Sequence, residues 1–232
     1  MSPRNQSRVC PPEVASMPGF ITDPADVPPY LLAGGRSSRM GTNKAFVLLG
    51  GERLLRRIAA RIGQQQKMPV ALNADTDWPD TIGLRLVPDV TSGKLGPLAG
   101  VLTAMRDAMV KHPHASHIVT VPVDSPFFPI DLVARLAQAI AGRDEIAIAA
   151  SLGRDHPVFG LWPVTIADDL ETWLLKDDKR RVRDFLARHT VRTIDFAAIQ
   201  TPIWPLDPFF NINTPDDLIA AETWLAALEQ TP

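Results

Sequence analysis

The chain has 232 residues, 45% of them hydrophobic, which allows one large domain or two small ones with a sizeable core. A formal net charge of −2 argues against a nucleic-acid binder, a class that is ordinarily basic, and a lone cysteine, Cys10, excludes a disulfide framework or a cysteine-rich metal site. No apolar run approaches the ~18 residues that span a bilayer, and the N-terminus lacks a basic-then-apolar leader, so a cytoplasmic protein with no membrane and no nucleic-acid partner is expected.

Residues 1–28 are expected to form a flexible extension, because Pro3, Pro11, Pro12, Pro18, Pro24 and Pro28 stand among polar residues without apolar periodicity. Residues 29–232 are expected to form the folded domain. Strands are predicted at 30–33, 69–73, 84–88, 117–123, 145–150, 158–162 and 191–195. The first should be short, since Pro28 and Pro29 cannot donate to a ladder. Between them lie helical stripes: Leu54, Leu55, Ile58, Ala59 and Ile62 within 51–66, then Val101, Met105 and Met109 within 98–110, then Leu132, Val133, Leu136 and Ile140 within 130–141. Thr214 before Pro215 predicts an N-cap with proline at the first helical position, and Asp216 and Asp217 suit the positive helix start. Alternating strands and helices predict an α/β fold with a mostly parallel sheet covered by helices on both faces, a three-layer α/β/α arrangement.

Ligands in such folds bind beyond the carboxyl ends of the strands. That rule gathers the loop after Ala33, the stretch around Asn73, the stretch around Asp89 and the stretch around Asp124 at one edge of the sheet. The first loop, Gly34-Gly35-Arg36-Ser37-Ser38-Arg39-Met40-Gly41-Thr42-Asn43-Lys44, has the glycines and cations of a phosphate cradle. It is no Walker A motif, because Lys44 follows Asn43 and precedes Ala45, and its adjacent glycines are not a Gly-x-Gly-x-x-Gly fingerprint. Gly34 and Gly35 would offer backbone amides, and Arg39 and Lys44 would balance triphosphate charge in a transition state.

Asp124 ends a buried-strand pattern, where a carboxylate reaches the crevice and suits Mg²⁺, an ion content with one or two protein carboxylates plus waters and phosphates. Asn73 offers both a donor and an acceptor at a strand end, and Asp89 offers an acceptor to hydroxyl or N–H groups. Asn211 and Asn213 share a face if their segment is extended. Lys179-Arg180-Arg181-Val182-Arg183 is the densest basic run, and His156 precedes a proline in an extended segment. His112, His114 and His117 lack zinc-like spacing and are expected at the surface. Ser37 and Ser38 have no adjacent histidine motif, which fits direct attack of one phosphate on another.

Leu32-Ala33-Gly34-Gly35-x-Ser37-x-Arg39-Met40-Gly41 with Lys44 shortly after resembles the signature of nucleotidyltransferases, and within them the molybdenum cofactor guanylyltransferase (MobA) family. The likeness continues through Leu72-Asn73-Ala74-Asp75, Pro88-Asp89 with Gly96-Pro97-Leu98-Ala99-Gly100, Pro122-Val123-Asp124-Ser125-Pro126, His156-Pro157-Val158 and Asn211-Ile212-Asn213-Thr214-Pro215, in the family's order over roughly residues 30–225. The resemblance implies a Rossmann-like, glycosyltransferase-A-like nucleotidyltransferase domain that transfers GMP from GTP to the molybdenum–molybdopterin cofactor and releases pyrophosphate. It further implies Leu32, Ala33, Gly34 and Lys44 as nucleotide contacts, Asn73 and Asp89 on the guanosine, and Asp124 on Mg²⁺. His156, Arg181, Arg183, Asn211 and Asn213 are implied on the side of the pterin phosphate, and a transient contact with cofactor-insertion proteins or molybdoenzymes is implied as well. Two alternatives stand beside this reading. One is a cytidylyltransferase of the same fold, set apart by the small residue Gly34 where cytidylyl relatives tend to carry alanine. The other is a non-catalytic molybdopterin carrier, against which Lys44 and Asp124 argue.

Overall fold

A computed structural model describes residues 21, 23–33, 46–91, 96–176 and 181–230. Among them, a seven-stranded sheet is built from β1 (Pro29–Leu32), β4 (Ala71–Asn73), β5 (Arg85–Val87), β6 (His117–Pro122), β7 (Ile146–Ser151), β8 (Arg154–Pro163) and β9 (Val191–Asp195). Their order across the sheet is β5-β4-β1-β6-β8-β7-β9. β8 runs antiparallel to both neighbours, and every other pairing is parallel. The sheet is therefore mostly parallel, as the alternating pattern predicts, with one reversed strand that a short hairpin returns from β7.

β1 is short and central. Pro29 opens it, where a missing N–H costs no ladder bond, and the Pro28 carbonyl accepts from Val119 N at 3.0 Å. Successive strand residues point to opposite faces. Leu31, Leu72, Val119, Val121, Ala147 and Leu161 pack into one core with helices α1 (Leu54–Gly63), α3 (Leu132–Ala139) and α6 (Pro215–Glu229). Tyr30, Leu32, Ala71, Ile118, Ile146 and Trp162 pack into a second core with α2 (Pro97–Lys111), α4 (Ala167–Lys176) and α5 (Val182–Leu186). Two cores on opposite faces of one sheet make the three-layer α/β/α domain.

Three expectations need correction. A hairpin of β2 (Leu48–Leu49) and β3 (Glu52–Arg53) takes the start of the first predicted helix, turning at Gly50 and Gly51, both at positive φ, so α1 begins only at Leu54. In α2, burial spreads round the helix because it packs on the sheet and also against α4, and Met109 is exposed while Ala108 closes the core. His117, expected at the surface, is 1% exposed. It opens β6, a strand covered on both faces, and its ring nitrogens lie 3.0 Å from Ser116 Oγ and 3.0 Å from the Glu145 carbonyl. Burial holds its pKa below the ordinary histidine value.

Ahead of β1, residues 23–28 pack on the domain. Asp23 and Asp26 pair with Lys67, whose backbone N–H donates to the Ala25 carbonyl at 2.8 Å, and Val27 is buried. At the other end α6 starts with the Thr214 N-cap foreseen in the sequence, which the structure closes into a capping box: Thr214 Oγ1 accepts from Asp217 N, and the Asp217 carboxylate accepts from Thr214 N at 2.8 Å.

Candidate functional site

The sheet order reverses between β1 and β6: the chain moves outward from β1 through β4 to β5, then returns across to β6. A crevice at the carboxyl ends of strands forms at such a switch point. Here it is a cleft of about 330 Å³ whose walls include Leu32, Asn73, Asp89, Gly100, Asp124, His156 and Asn211. Residues as far apart as 32 and 211 in the sequence therefore share one cavity.

Asn73 ends β4 and is 2% exposed. Its Nδ2 donates to the Val87 carbonyl at 3.0 Å and to Asp89 Oδ1 at 2.8 Å. Both partners can only accept, so the amide orientation is fixed by its surroundings. Both N–H donors are consumed in joining β4 to the end of β5, and only Oδ1 is left for a ligand. Asp89 also accepts from Thr103 Oγ1 at 3.3 Å, and that oxygen in turn accepts from Val90 N at 3.1 Å. The carboxylate is thus tied to α2 as well as to β4. The donor face foreseen on Asn73 is spent, and what faces the cleft at this end is a pair of acceptors.

α2 makes this possible. Gly100, one turn inside the helix, lies so near Asn73 that a Cβ would stand 2.6 Å from Oδ1 and 3.3 Å from Leu32 Cδ2. The glycine brings helix backbone onto the cleft floor where any side chain would displace the amide. Ala33, just past β1, donates its N–H to the Asn73 carbonyl at 2.9 Å, which ties the start of the following loop to the same strand end.

Asp124 follows β6. Its backbone carbonyl accepts from Ile212 N at 2.8 Å, which pins the loop carrying Asn211 to the end of β6. Ser125, fully buried, places its Oγ against Asn211 Oδ1 and 3.3 Å from Asp124 Oδ1. A hydroxyl has one proton. Turning the Asn211 amide so that Nδ2 donates to Ser125 lets that proton go to the carboxylate, and the three groups then form one ordered chain. Asn213 lies one residue before the α6 N-cap and donates its backbone N–H to Asp217 at 2.9 Å, outside the cleft walls.

On the opposite wall β8 brings in His156. The pairing of β7 with β8 slips between Ile148 and Ala149, so that residues 157–159 stand out of register and form part of the cleft wall. Thr120 Oγ1 holds this bulge by donating to the Val158 carbonyl at 2.7 Å. His156 Nε2 lies 2.8 Å from Ser151 Oγ, which donates to Asp207 Oδ1 at 2.6 Å, and the imidazole packs 4.8 Å from the Phe209 ring. Burial pushes the His156 pKa below the ordinary value; Arg154 acts the same way, while Asp207 and Asp155 oppose it. Neither Ser151 nor Asp207 stands out in the sequence. Their only signal is that each is a small polar group beside an apolar run.

Arg181 and Arg183 sit at the start of α5, both exposed and away from the cleft walls. Gly34, Gly35, Arg39 and Lys44 lie outside the described residues, as do Lys179 and Arg180. Among the described residues no group of three or more His, Cys, Asp or Glu could hold a metal ion, and no helix is long and apolar enough to cross a membrane. A metal here would have to draw on few protein donors.

Comparison with known proteins gives this geometry a context. The family model of the MobA-like NTP transferase domain matches residues 30–193. A molybdenum cofactor guanylyltransferase of Rhizobium rhizogenes (strain K84) is 79% identical over 216 residues, covering 93% of this chain and 100% of its own. Another of that name, from Rhizobium meliloti (strain 1021), is 54% identical over 87% of this chain and 93% of its own. Among solved structures, molybdopterin-guanine dinucleotide biosynthesis protein A of Archaeoglobus fulgidus superposes with a TM-score of 0.66 at 23% identity, over 86% of this chain and 99% of that one.

Proposed function

Because the chain belongs to the MobA-like NTP transferase family and is a nucleotidyltransferase of molybdenum cofactor biosynthesis, we propose that it transfers GMP from GTP to the molybdenum–molybdopterin cofactor. The terminal phosphate of the pterin attacks the α-phosphorus of GTP, pyrophosphate leaves, and the guanine dinucleotide form of the cofactor results. In this reading the reaction takes place in the cytoplasm.

The acceptor pair at the ends of β4 and β5 carries the choice of nucleotide. Asn73 has only Oδ1 to offer, and Asp89 offers a carboxylate. Guanine presents two adjacent donors, N1–H and the 2-amino group, and two acceptors suit that edge. Cytosine presents a single amino donor beside acceptors, and its N3 would meet a carboxylate or amide oxygen unpaired, at a cost of about 1–3 kcal/mol. Gly34, in the loop after β1, is assigned the same preference by its small size. Leu32, Ala33 and Gly35 complete the nucleotide side.

The metal side rests on Asp124. Its donor set is hard oxygen, the carboxylate with the Asn211 amide nearby, and suits an ion that takes few protein ligands and completes its shell with phosphates and water. Asp124 would hold Mg²⁺, with Asn211 rather than Asn213 assisting because only Asn211 shares the cleft wall, and the bound ion would supply charge neutralisation on the departing pyrophosphate. Arg39 and Lys44 are assigned the triphosphate, His156 the second substrate, and Arg181 and Arg183 the pterin phosphate.

Pyrophosphate release measured with each of the four nucleoside triphosphates, with and without molybdopterin, tests the proposal. Release dependent on GTP and molybdopterin together is expected. Tighter binding of CTP than GTP would favour a cytidylyltransferase, and molybdopterin binding without release would make the protein a carrier.

A further inference from the structure

His156 enters the cleft with one ring nitrogen already committed. Ser151 lies at the end of β7, is fully buried, and donates its only proton to Asp207, because a carboxylate can only accept. Asp207 is itself fixed by the Phe209 N–H, which donates to Oδ1 at 2.9 Å. The Ser151 oxygen therefore has only lone pairs to present to His156 Nε2 at 2.8 Å, and Nε2 must carry the proton. Nδ1 is then a lone-pair acceptor and makes no hydrogen bond among the described residues. Phe209 against the ring limits its rotation.

We propose that Asp207 and Ser151 are positioning residues that hold His156 in its Nε2–H form, and that His156 Nδ1 takes the proton from the protonated oxygen of the attacking phosphate monoester. The proposal rests on the guanylyl-transfer reading for the identity of that phosphate. A phosphate monoester loses its second proton near pH 6, so near neutrality part of it still carries a proton, and removing that proton gives the more nucleophilic dianion. The O–H bond breaks and its proton passes to Nδ1. The freed electron pair forms the bond to the α-phosphorus, and the bond from that phosphorus to the pyrophosphate oxygen breaks, its pair leaving with pyrophosphate. The resulting imidazolium keeps Nε2–H on Ser151, beside the Asp207 carboxylate, and returns the extra proton to water after the product departs. A neutral imidazole is the form that accepts, and the low pKa that burial imposes on His156 keeps it neutral.

The test combines imidazole ¹⁵N spectra with kinetics on the full chain. The spectrum of wild-type protein should show His156 protonated at Nε2. Ser151→Ala removes the acceptor, so the proton should distribute over both nitrogens; kcat should fall about tenfold while KM for GTP stays within about twofold, since the relay does not touch the nucleotide. Asp207→Asn still offers an oxygen to both Ser151 and Phe209 N, and should keep the Nε2–H form and lose less rate than Asp207→Ala. His156→Gln should lower kcat about 100-fold. An unshifted Ser151→Ala spectrum, or a shifted spectrum with unchanged kcat, would overturn the proposal. Wild-type protein that releases no pyrophosphate from GTP would remove the guanylyl-transfer reading separately, whatever the spectra show.

Discussion

Gly100 and Asn73 meet so closely that a single added carbon on the glycine would stand 2.6 Å from the asparagine Oδ1. Asn73 cannot swing aside freely, because its Nδ2 is held by both the Val87 carbonyl and Asp89. Gly100→Ala should therefore force the amide off its two acceptors or push α2 away from the sheet. A loss of about 1–3 kcal/mol in stability is expected by denaturant titration, the range for overpacking in a dense interior. Titration with GTP should show affinity falling more than ATP binding at the same site, and an unchanged GTP affinity would remove Asn73 from the base pocket.

Asn73→Asp is a sharper probe of the same contact, since it keeps shape and reverses the hydrogen-bonding sense. A carboxylate oxygen would replace the donor that now faces a carbonyl and a carboxylate. The buried acceptors would then oppose one another, with an expected cost of about 1–3 kcal/mol at neutral pH. Acidification should recover part of it, because a protonated carboxyl can donate once. Equal stability of the two proteins across pH would show that the Nδ2 bonds carry little weight.

Asp124→Asn should separate chemistry from folding. The contact that pins the Asn211 loop uses the Asp124 backbone carbonyl, not its side chain, so the substitution leaves that tether intact. Thermal denaturation should show a change of only a few degrees. Pyrophosphate release should fall by about 10²–10³-fold, the range for losing one stabilising contact to a developing anion, because the weaker amide would no longer hold the ion that neutralises it. Full Mg²⁺-dependent turnover in the variant would place the metal elsewhere.

The parts of this site that were legible in the sequence are those where one residue carries its own signal. Asp124 stands at the end of an apolar run, and Thr214-Pro215 with Asp217 announces a helix start. Their positions follow from local rules of strand ends and caps. The hairpin at Leu48–Arg53 left no such trace, because two strands of two residues are too short to show a period. The sequence predicts β8 only from Val158 onward, with His156 in an extended segment ahead of it; Arg154, Asp155 and His156 join the strand because β7 offers them a partner. The relay of Asp207, Ser151 and His156 spans 56 residues and exists only through that pairing. His117 departs from its sequence pattern for the converse reason: its polar neighbours in sequence do not shield it from burial once β6 is covered on both faces.

That buried histidine gives the protein a pH dependence of stability. Desolvation disfavours the His117 imidazolium and lowers its pKa beneath the ordinary histidine value of about 6.5, although the Glu145 carbonyl and the nearby Asp144 and Glu145 carboxylates oppose the shift. In the interval between the lowered value and 6.5 the unfolded chain binds more protons than the folded one. Stability therefore falls as pH drops through that interval, by at most about 1.4 kcal/mol per pH unit for this one group. Well above pH 6.5 both states are neutral and the group contributes no slope. His112 and His156 are shifted the same way, so the wild-type slope alone is a composite. Subtracting the profile of His117→Gln isolates the contribution of His117. The difference should be flat above about pH 7.5 and change steadily below about pH 6.5, in the direction that makes wild-type protein the more acid-sensitive of the two. Parallel profiles in denaturant titrations at pH 5.5, 6.5 and 7.5 would show that His117 titrates alike in both states.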